Sequence, residues 1–377
     1  MQKSFTTQPK LFVSASDLNH PILRSLDDTK ALLKWSEIEK VLSSIYASNN
    51  GRPSYPLLTL FRALLLGAWY RLSDVQLAQC LYIPVAFQVA TLLAAFAHPD
   101  HLLLVGSRGF AYLLPSSNLK CFGYRNLLFC KFCHLELGGA VPEASTLGRF
   151  RTRLVEHRLG DQLLADINRQ LEAKNIIMSE GRINIIDATP IEAARSGSGH
   201  EKNGKPTKDP DAGWHVKNDS RGNKKSTYGF SVHTGVDEDG FIHRQSVTPD
   251  NVYDSQERDT LLLGDETALY ANSAYGSEQN REKLAQLGIK DQVQRKGYRG
   301  KPLSKEDRAR NKEIAVTRAG GEHLFATYKR HCGLARTRFM GLAKNATTYG
   351  LAAIAANIRE GTKFLVLCGV SKPCYTG

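Results

Sequence analysis

The sequence lacks the features that mark secreted and membrane proteins. Its longest apolar run, residues 85–97, is shorter than the about 20 residues that cross a bilayer, so we expect a buried helix there. The seven cysteines are odd in number and irregularly spaced, which argues against a disulfide framework and favours reduced thiols. The first residues, MQKSFTTQPK, contain no apolar segment of the kind found in signal peptides. We therefore expect a soluble, cytoplasmic protein without a membrane partner.

The sequence is also short of acidic residues. Against 50 Lys and Arg there are 37 Asp and Glu, which gives a net charge of +13 and a pI near 9.4. This balance favours a polyanionic partner, with nucleic acid before a membrane surface, although some basic proteins have neither partner. The 377 residues, 42% of them hydrophobic, suffice for two or three domains with their own cores.

The N-terminal part has helical patterns. The apolar residues of 57–73 cover a wide helical face, and Ser73 with Asp74 can cap a second helix over 75–82. Two helices joined by a tight turn predict either a helix-turn-helix that contacts DNA or plain packing within a helical domain. A further helix, which starts near residue 145, is rich in arginines that can meet phosphates or solvent. They are Arg149, Arg151, Arg153 and Arg158.

The pattern changes to β-rich after residue 180. An apolar strand is expected over 183–191, then a hairpin that turns at 237–240, then strands alternating with helices, the first of which is expected over 254–263, and a closing helical region over 319–360. This order predicts a mixed sheet flanked by helices.

The predicted fold class is therefore α+β. We expect an all-α, DNA-binding domain over 1–178, a mixed-sheet α/β domain over 179–365 and a tail over 366–377. Residues 83–124 show no clean period and interrupt the helical pattern, which predicts an insertion there.

Cys130, Cys133 and His134 have the spacing of half a zinc knuckle. Structural zinc sites usually pair two such elements, and these residues lie among Leu and Phe side chains. We favour buried free thiols over a metal site.

Two carboxylates have sequence contexts that suggest catalysis. Asp187 is expected at the end of an apolar strand, where a carboxylate must be paired, hydrogen-bonded or bound to a metal, unless it only caps a turn. Glu322 shares a helical face with Arg318 and Lys329, and residues 323–344 hold five Lys and Arg but no acid. A carboxylate within a basic tract suits metal-assisted phosphodiester chemistry, although a surface stripe of ion pairs is the alternative.

Four segments in this order resemble the transposases of bacterial insertion sequences, family five of the four/five superfamily. They are INIIDATP, YGFSVHTGVD with VTPDNVYDSQ, LYANSAYGS, and an Arg-x3-Glu-x6-Lys pattern followed by GLARTRFMGLAKN. The resemblance implies a ribonuclease-H-like catalytic domain of the DDE type, in which Asp, Asp and Glu hold two Mg²⁺ or Mn²⁺ ions. Two ions about 3.5–4 Å apart support in-line attack at phosphorus by water or a DNA 3′-hydroxyl.

The resemblance also implies roles for individual residues. Asp187 and Glu322 match the first and last catalytic, metal-binding acids, and Ala315 stands where the family often has tyrosine. The implied partner is double-stranded DNA, as element ends and target, bound by a homodimer associated with the bacterial nucleoid. Residues expected to bind DNA are Arg318, Lys329, Arg330, Arg336, Arg338 and Trp214. For Trp214 the roles are stacking on an unpaired base or anchoring its loop to the core.

The second catalytic acid that the resemblance implies is missing, since Asn272 occupies the matching position. An amide is neutral and a poor ligand for Mg²⁺, which prefers anionic oxygen. Asp265 and Glu266 lie at the far end of the expected strand, about 20 Å away, so Glu278 on the next helix is the only plausible substitute.

Three functions remain open. The chain is a transposase whose cleavage is impaired, or an inactive remnant that still binds DNA. An unrelated basic regulator would leave the segments around Asp187 and Glu322 unexplained.

Overall fold

The computed structural model describes residues 21–45, 54–82, 102–105, 111–114, 128–136, 139–178, 182–195, 208–218, 224–298, 300–331 and 335–368; the side chains of 21–25, 102–105, 111–114, 217–218, 225, 320–331 and 367–368 are excepted. The chain forms two compact units. One comprises Met1–Ala31 and Leu42–Arg151, and the other comprises Leu32–Val41 and Thr152–Gly377.

Helices α1 to α10 are α1 (Pro21–Leu32), α2 (Trp35–Leu42), α3 (Leu57–Tyr70), α4 (Asp74–Leu81), α5 (Ala144–Glu156), α6 (Leu159–Glu172), α7 (Arg258–Leu261), α8 (Glu278–Gln286), α9 (Lys305–His331) and α10 (Leu342–Cys368). Residues 128–133 are helical as well. The strands are β1 (Leu102–Val105), β2 (Ala111–Leu114), β3 (Ile183–Glu192), β4 (Gly213–Asn218), β5 (Lys224–Val236), β6 (Ile242–Pro249), β7 (Ala268–Ala271) and β8 (Lys290–Val293).

In the first unit, the apolar face of α3 is buried as its sequence predicts. Ser73 then caps α4: its hydroxyl accepts a hydrogen bond from the Gln76 backbone N–H, and the Gln76 side chain accepts one from the Ser73 N–H. The predicted cap is therefore confirmed. Arg151 of α5 pairs with Asp74 at 2.8 Å, so one of the four arginines expected to meet phosphates or solvent stabilises the packing of α4 and α5.

The second unit contains a mixed sheet of six strands, as predicted. The order is β4–β5–β3–β7–β8, with β6 also paired to β5. β3, β7 and β8 are parallel to each other, whereas β5 is antiparallel to β3, β4 and β6. Across the parallel strands Ile186 lies beside Ala271, and Ala271 beside Val293. The residues that follow these three positions therefore emerge at one end of the sheet.

Helices cover both faces of this sheet. Ile186 packs in a cluster with Leu284 of α8, whereas Ile191 packs with Tyr349 of α10. These two isoleucines have opposite parity along β3, so their side chains point to opposite faces. Within the second unit, Asn357 of α10 bonds the backbone of Ile242 in both directions, and so fixes α10 against β6.

Three predicted boundaries are wrong. Asp187 does not end a strand, because the 13-residue β5 pairs with β3 as far as Glu192. The helix predicted over 254–263 is a 3-10 turn at Asp254–Gln256 followed by the short α7. The helix expected over 319–360 begins at Lys305 and is interrupted at 335–341, where backbone bonds join Glu192 to Ala335 and Thr337.

Other predictions lie partly outside the described residues. In the segment 83–124 only the antiparallel pair β1–β2 is described, so its being an insertion stays a prediction. The boundary at 178/179 and the tail also stay predictions. Within the described part of the chain, no helix has the length and apolar character that a membrane span requires.

Candidate active site

Asp187 lies within β3 at the end of the sheet where the parallel strands finish. Its Oδ1 atom accepts a hydrogen bond from the Ala188 N–H at 2.9 Å, and its side chain is 20% exposed. Because Ile186 is in register with Ala271 and Val293, Asp187 lies at the level of Asn272 and Gln294, the residues that follow β7 and β8.

Asn272 contacts Asp187 directly. Its Nδ2 atom donates to Asp187 Oδ1 at 3.2 Å. The Asn272 Oδ1 atom accepts from the Ala274 N–H at 2.7 Å and so caps the 3-10 turn Ser273–Tyr275. The amide therefore directs its nitrogen, not its oxygen, at the carboxylate.

Arg318 of α9 occupies the other side of the carboxylate. Its Nη2 atom lies 3.2 Å from Asp187 Oδ2, and its Nη1 atom donates to Gln294 Oε1 at 3.3 Å. The guanidinium is nearly buried, with 10% of the side chain exposed. Arg318, predicted to contact the DNA backbone, thus lies in the site and pairs with Asp187.

Helix α9 is held against the end of β8. Arg310 donates to the carbonyls of Val293 and Asp291 at 2.9 and 2.7 Å. The Asn311 side chain accepts from the Arg295 N–H at 2.8 Å and donates to the Arg295 carbonyl at 2.9 Å. These four bonds set the position of α9 relative to the sheet.

Glu322 lies on α9, one helical turn after Arg318. Residues four apart lie on the same face of a helix, so the backbone places Glu322 on the side that Arg318 presents to Asp187. The side chains of Glu322, Lys329 and Arg330 are outside the described residues, and their roles stay predictions. Of the three expected catalytic positions, the structure brings Asp187 and Asn272 together.

A buried polar network that the sequence did not reveal lies beside Asp187. The Tyr275 hydroxyl is 3.4 Å from His233 Nδ1, whose Nε2 atom is 2.9 Å from the Thr248 hydroxyl. Burial, together with the nearby carboxylates of Asp254 and Asp187, raises the pKa of Tyr275. Burial lowers the pKa of His233, which favours its neutral form. The alternation of β5 gave no signal for this network, because it sets His233 on the face opposite Phe230 and Val232; both its burial and its partners depend on the fold.

Three acids were considered as substitutes for Asn272, and the structure gives two of them other partners. Asp265 pairs with Arg182. Glu266 accepts bonds from Asn184 and from two N–H groups of the turn before β7. Glu278 is exposed in the first turn of α8. Asp265 and Glu266 therefore serve the opposite end of the strand, and Glu278 stays an untested substitute.

The described donors do not fit a site for two divalent ions. They supply one carboxylate, whose oxygens accept bonds from an amide and a guanidinium. Among the residues with described side chains, no group of three His, Cys, Asp or Glu could hold a metal ion. The geometry places Asn272 and Arg318 around Asp187 but lacks the anionic oxygen that Asp would supply at position 272.

Three predicted DNA-binding residues lie at the surface of the second unit. Arg336 and Arg338 are exposed in the segment that is bridged to the end of β3. The Arg336 guanidinium also donates to the carbonyls of Ala193 and Ala194. Trp214 on β4 is 46% exposed, with its ring 5.0 Å from that of Tyr228. Trp214 is thus partly exposed while its ring contacts that of Tyr228.

The cysteines near residue 130, in the first unit, are buried thiols. Cys130 donates to the Leu81 carbonyl at 3.3 Å, and burial raises its pKa to about 12. Burial likewise raises the pKa of Cys133 and lowers that of His134 to about 4. A zinc ligand must be a thiolate, so this environment favours the free-thiol interpretation.

Two family models match the chain. Residues 178–358 match the transposase DDE domain, and this range includes Asp187, Asn272 and Glu322. Residues 14–108 match a transposase domain (DUF772), which extends into the segment 83–124 that we predict as an insertion. The DDE match implies a ribonuclease-H-like fold for the mixed sheet, which confirms the predicted fold class. No solved structure matches the chain.

Proposed function

We propose that this chain binds its element's terminal inverted repeats but cleaves DNA poorly. Its two matched domains are those of a DDE-type transposase of an insertion sequence. The order of the motifs supports membership of family five. A transposase acts on DNA, and DDE domains generally use divalent metal ions. The proposal concerns what this particular chain retains of that activity.

The observation that carries the proposal is the hydrogen bond from Asn272 to Asp187. An aspartate at this position would present a second anionic oxygen next to the first. Asn272 instead presents an N–H group, and Arg318 neutralises the remaining carboxylate. The local charge of these three side chains is near zero, so they attract a divalent cation weakly.

DNA binding depends on other residues and is expected to persist. Arg336, Arg338 and Trp214 are exposed. Lys and Arg gain affinity by displacing counterions from phosphates, which needs no metal. We infer that the protein acts in the nucleoid as a homodimer, since an element has two ends and each must meet a catalytic site.

The second candidate function is an inactive, DNA-binding remnant. The same contact favours it, because Asn272 preserves the shape of the site while it removes a charge. The two candidate functions differ in whether the other catalytic residues are still functional. The single substitution Asn272→Asp distinguishes them.

The experiment uses duplex DNA that carries the element's own ends, incubated with Mg²⁺ or Mn²⁺. We expect the unmodified chain to bind without nicking and Asn272→Asp to nick, because the substitution supplies the missing anionic ligand. The matched control, Asn272→Asp with Glu322→Gln, should bind but not nick. Failure of Asn272→Asp to nick would favour the remnant. Strong nicking by the unmodified chain would contradict impaired cleavage and direct attention to Glu278.

A further inference from the structure

A basic hairpin, described at residues 295–298 and 300–301, follows β8. The N–H groups of Tyr298 and Lys301 donate to each other's carbonyls, both at 3.0 Å, which closes a tight turn. Gly300 adopts φ +85° in this turn, a conformation that favours glycine. The hairpin is therefore a defined element with its own backbone bonds.

The basic hairpin presents positive charge and an aromatic ring to solvent. Residues 292–304 contain Arg295, Lys296, Arg299 and Lys301 and no acid. Lys296 and Lys301 are exposed, and neither forms an ion pair within the described part of the chain. Tyr298, at the turn, is 67% exposed. Exposed lysines around an exposed aromatic ring fit a nucleic-acid backbone and its bases.

The basic hairpin begins next to the candidate active site. Val293 pairs with Ala271, so Gln294 lies beside Asn272, and strands in a sheet are about 4.8 Å apart. The hairpin starts at the residue after Gln294, whose side chain bonds Arg318. A DNA strand that reaches Asp187 thus passes near the hairpin.

The base of the hairpin is fixed to α9. Asn311 of α9 bonds both the N–H and the carbonyl of Arg295, and the Arg295 side chain lies 3.3 Å from Asp291. A surface that is already ordered loses little conformational entropy on binding. Because Arg318 is also on α9, these bonds fix the position of the hairpin relative to Arg318 and Asp187.

We propose that the basic hairpin binds duplex DNA beside the catalytic residues. Lys296 and Lys301 contact phosphates, and the Tyr298 ring packs on the neighbouring sugar and base. This inference rests on the proposed function, because it requires DNA as the substrate. The hairpin is a separate DNA-binding element, distinct from the basic tract within residues 323–344 and from Trp214.

The test measures binding of the full chain to a short fluorescein-labelled duplex of mixed sequence, from about 50 to about 200 mM NaCl. Lys296→Gln with Lys301→Gln should reduce the slope of log K against log salt by about 1.8, or about 0.9 for each phosphate that is no longer neutralised. Affinity near 0.1 M salt should fall about tenfold or more. Lys296→Arg with Lys301→Arg should keep the slope of the unmodified chain.

The control removes the same charge away from the hairpin. Lys290 begins β8, and Lys283 lies on α8, where it pairs with Asp259. Lys283→Gln with Lys290→Gln should bind DNA as the unmodified chain does. Tyr298→Ala should weaken binding without changing the slope, and Tyr298→Phe should restore it. Circular dichroism verifies that each variant is folded.

The outcomes separate this inference from the proposed function. If the Lys296/Lys301 glutamine variant has the same slope and affinity as the control pair, the basic hairpin does not bind DNA. The proposed function then still stands, since the unmodified chain binds. If the unmodified chain binds neither this duplex nor one that carries the element's own ends, both are wrong.

Discussion

Asn272 donates a hydrogen bond of 3.2 Å to Asp187, and this contact replaces the repulsion that two carboxylates would have at the same distance. At an effective dielectric of about 20, two like charges this close repel by about 5 kcal/mol before Arg318 and solvent reduce the effect. The asparagine thus stabilises the free protein at the position where an aspartate would bind cations.

We predict that Asn272→Asp lowers the melting temperature when divalent cations are absent. A loss of about 1–2 kcal/mol corresponds to a decrease of about 2–8 °C for a domain of about 200 residues. Adding Mg²⁺ or Mn²⁺ should recover the loss, because a cation between two carboxylates removes the repulsion. Differential scanning fluorimetry with EDTA and with metal measures both effects. Equal cation responses from the variant and the unmodified chain would contradict the prediction.

Removal of the Arg318 guanidinium should destabilise the second unit. Arg318→Gln leaves Asp187 without its ion pair and Gln294 without its donor, which we expect to cost about 1–3 kcal/mol. Arg318→Lys keeps the charge but not both bonds, so its loss should be smaller. Urea unfolding measures the free energies. The assignment of Arg318 to the site is wrong if the glutamine variant is as stable as the unmodified chain.

Local sequence patterns predicted much of the fold. The apolar run of β3 and the cap at Ser73 follow from residues adjacent in sequence, and the structure confirms both. The start of α9 was missed because residues 305–318 are almost entirely polar, with Ile314 as their one buried apolar residue. A helix that buries so little has no clear amphipathic period.

From the sequence, the site residues could be predicted only where they belong to a recognised motif. Asp187 and Asn272 were identified from their segments and do meet. Gln294 and the Tyr275–His233 pair were not, because their contacts join distant parts of the chain. The packing of α9 and of the turn after β7 against the sheet brings these residues together without any trace in the local sequence.

Deletion of residues 83–124, with Tyr82 joined to Arg125, should leave the first unit folded. The flanks already meet: Cys130 bonds the Leu81 carbonyl, and Tyr70 packs on Phe129 with ring centroids 4.8 Å apart. A short connection can therefore replace the segment. We expect an unchanged helical signal in circular dichroism and a melting temperature within about 4 °C. Insoluble protein would show that the segment belongs to the domain, as the family match through residue 108 would then require.

The stability of the second unit should decrease in mild acid, partly because of His233. Burial lowers the pKa of His233, whereas an unfolded histidine titrates near 6.5. The unfolded state then binds the proton more readily, so stability is complete above about pH 6.5 and is lost as the pH falls below that value. Urea unfolding at several pH values measures this loss.

The control for that titration is His233→Gln, which can still bond Thr248. The variant should be less stable at neutral pH but should lose less stability than the unmodified chain on acidification. Parallel pH curves for the two proteins would assign the acid sensitivity to other groups.

The last prediction concerns the basic segment after α9. Arg336→Gln with Arg338→Gln should weaken binding about equally for all DNA sequences and reduce the salt slope by about 1.8, since phosphate contacts carry no sequence information. Arg336 also bonds the Ala193 and Ala194 carbonyls, so its loss can disturb the bridge to β3. Arg338→Gln alone avoids this effect and should reduce the slope by about 0.9. Lys290→Gln is the matched charge control, and an Arg338 variant that behaves like it would show that this segment is not part of the DNA surface.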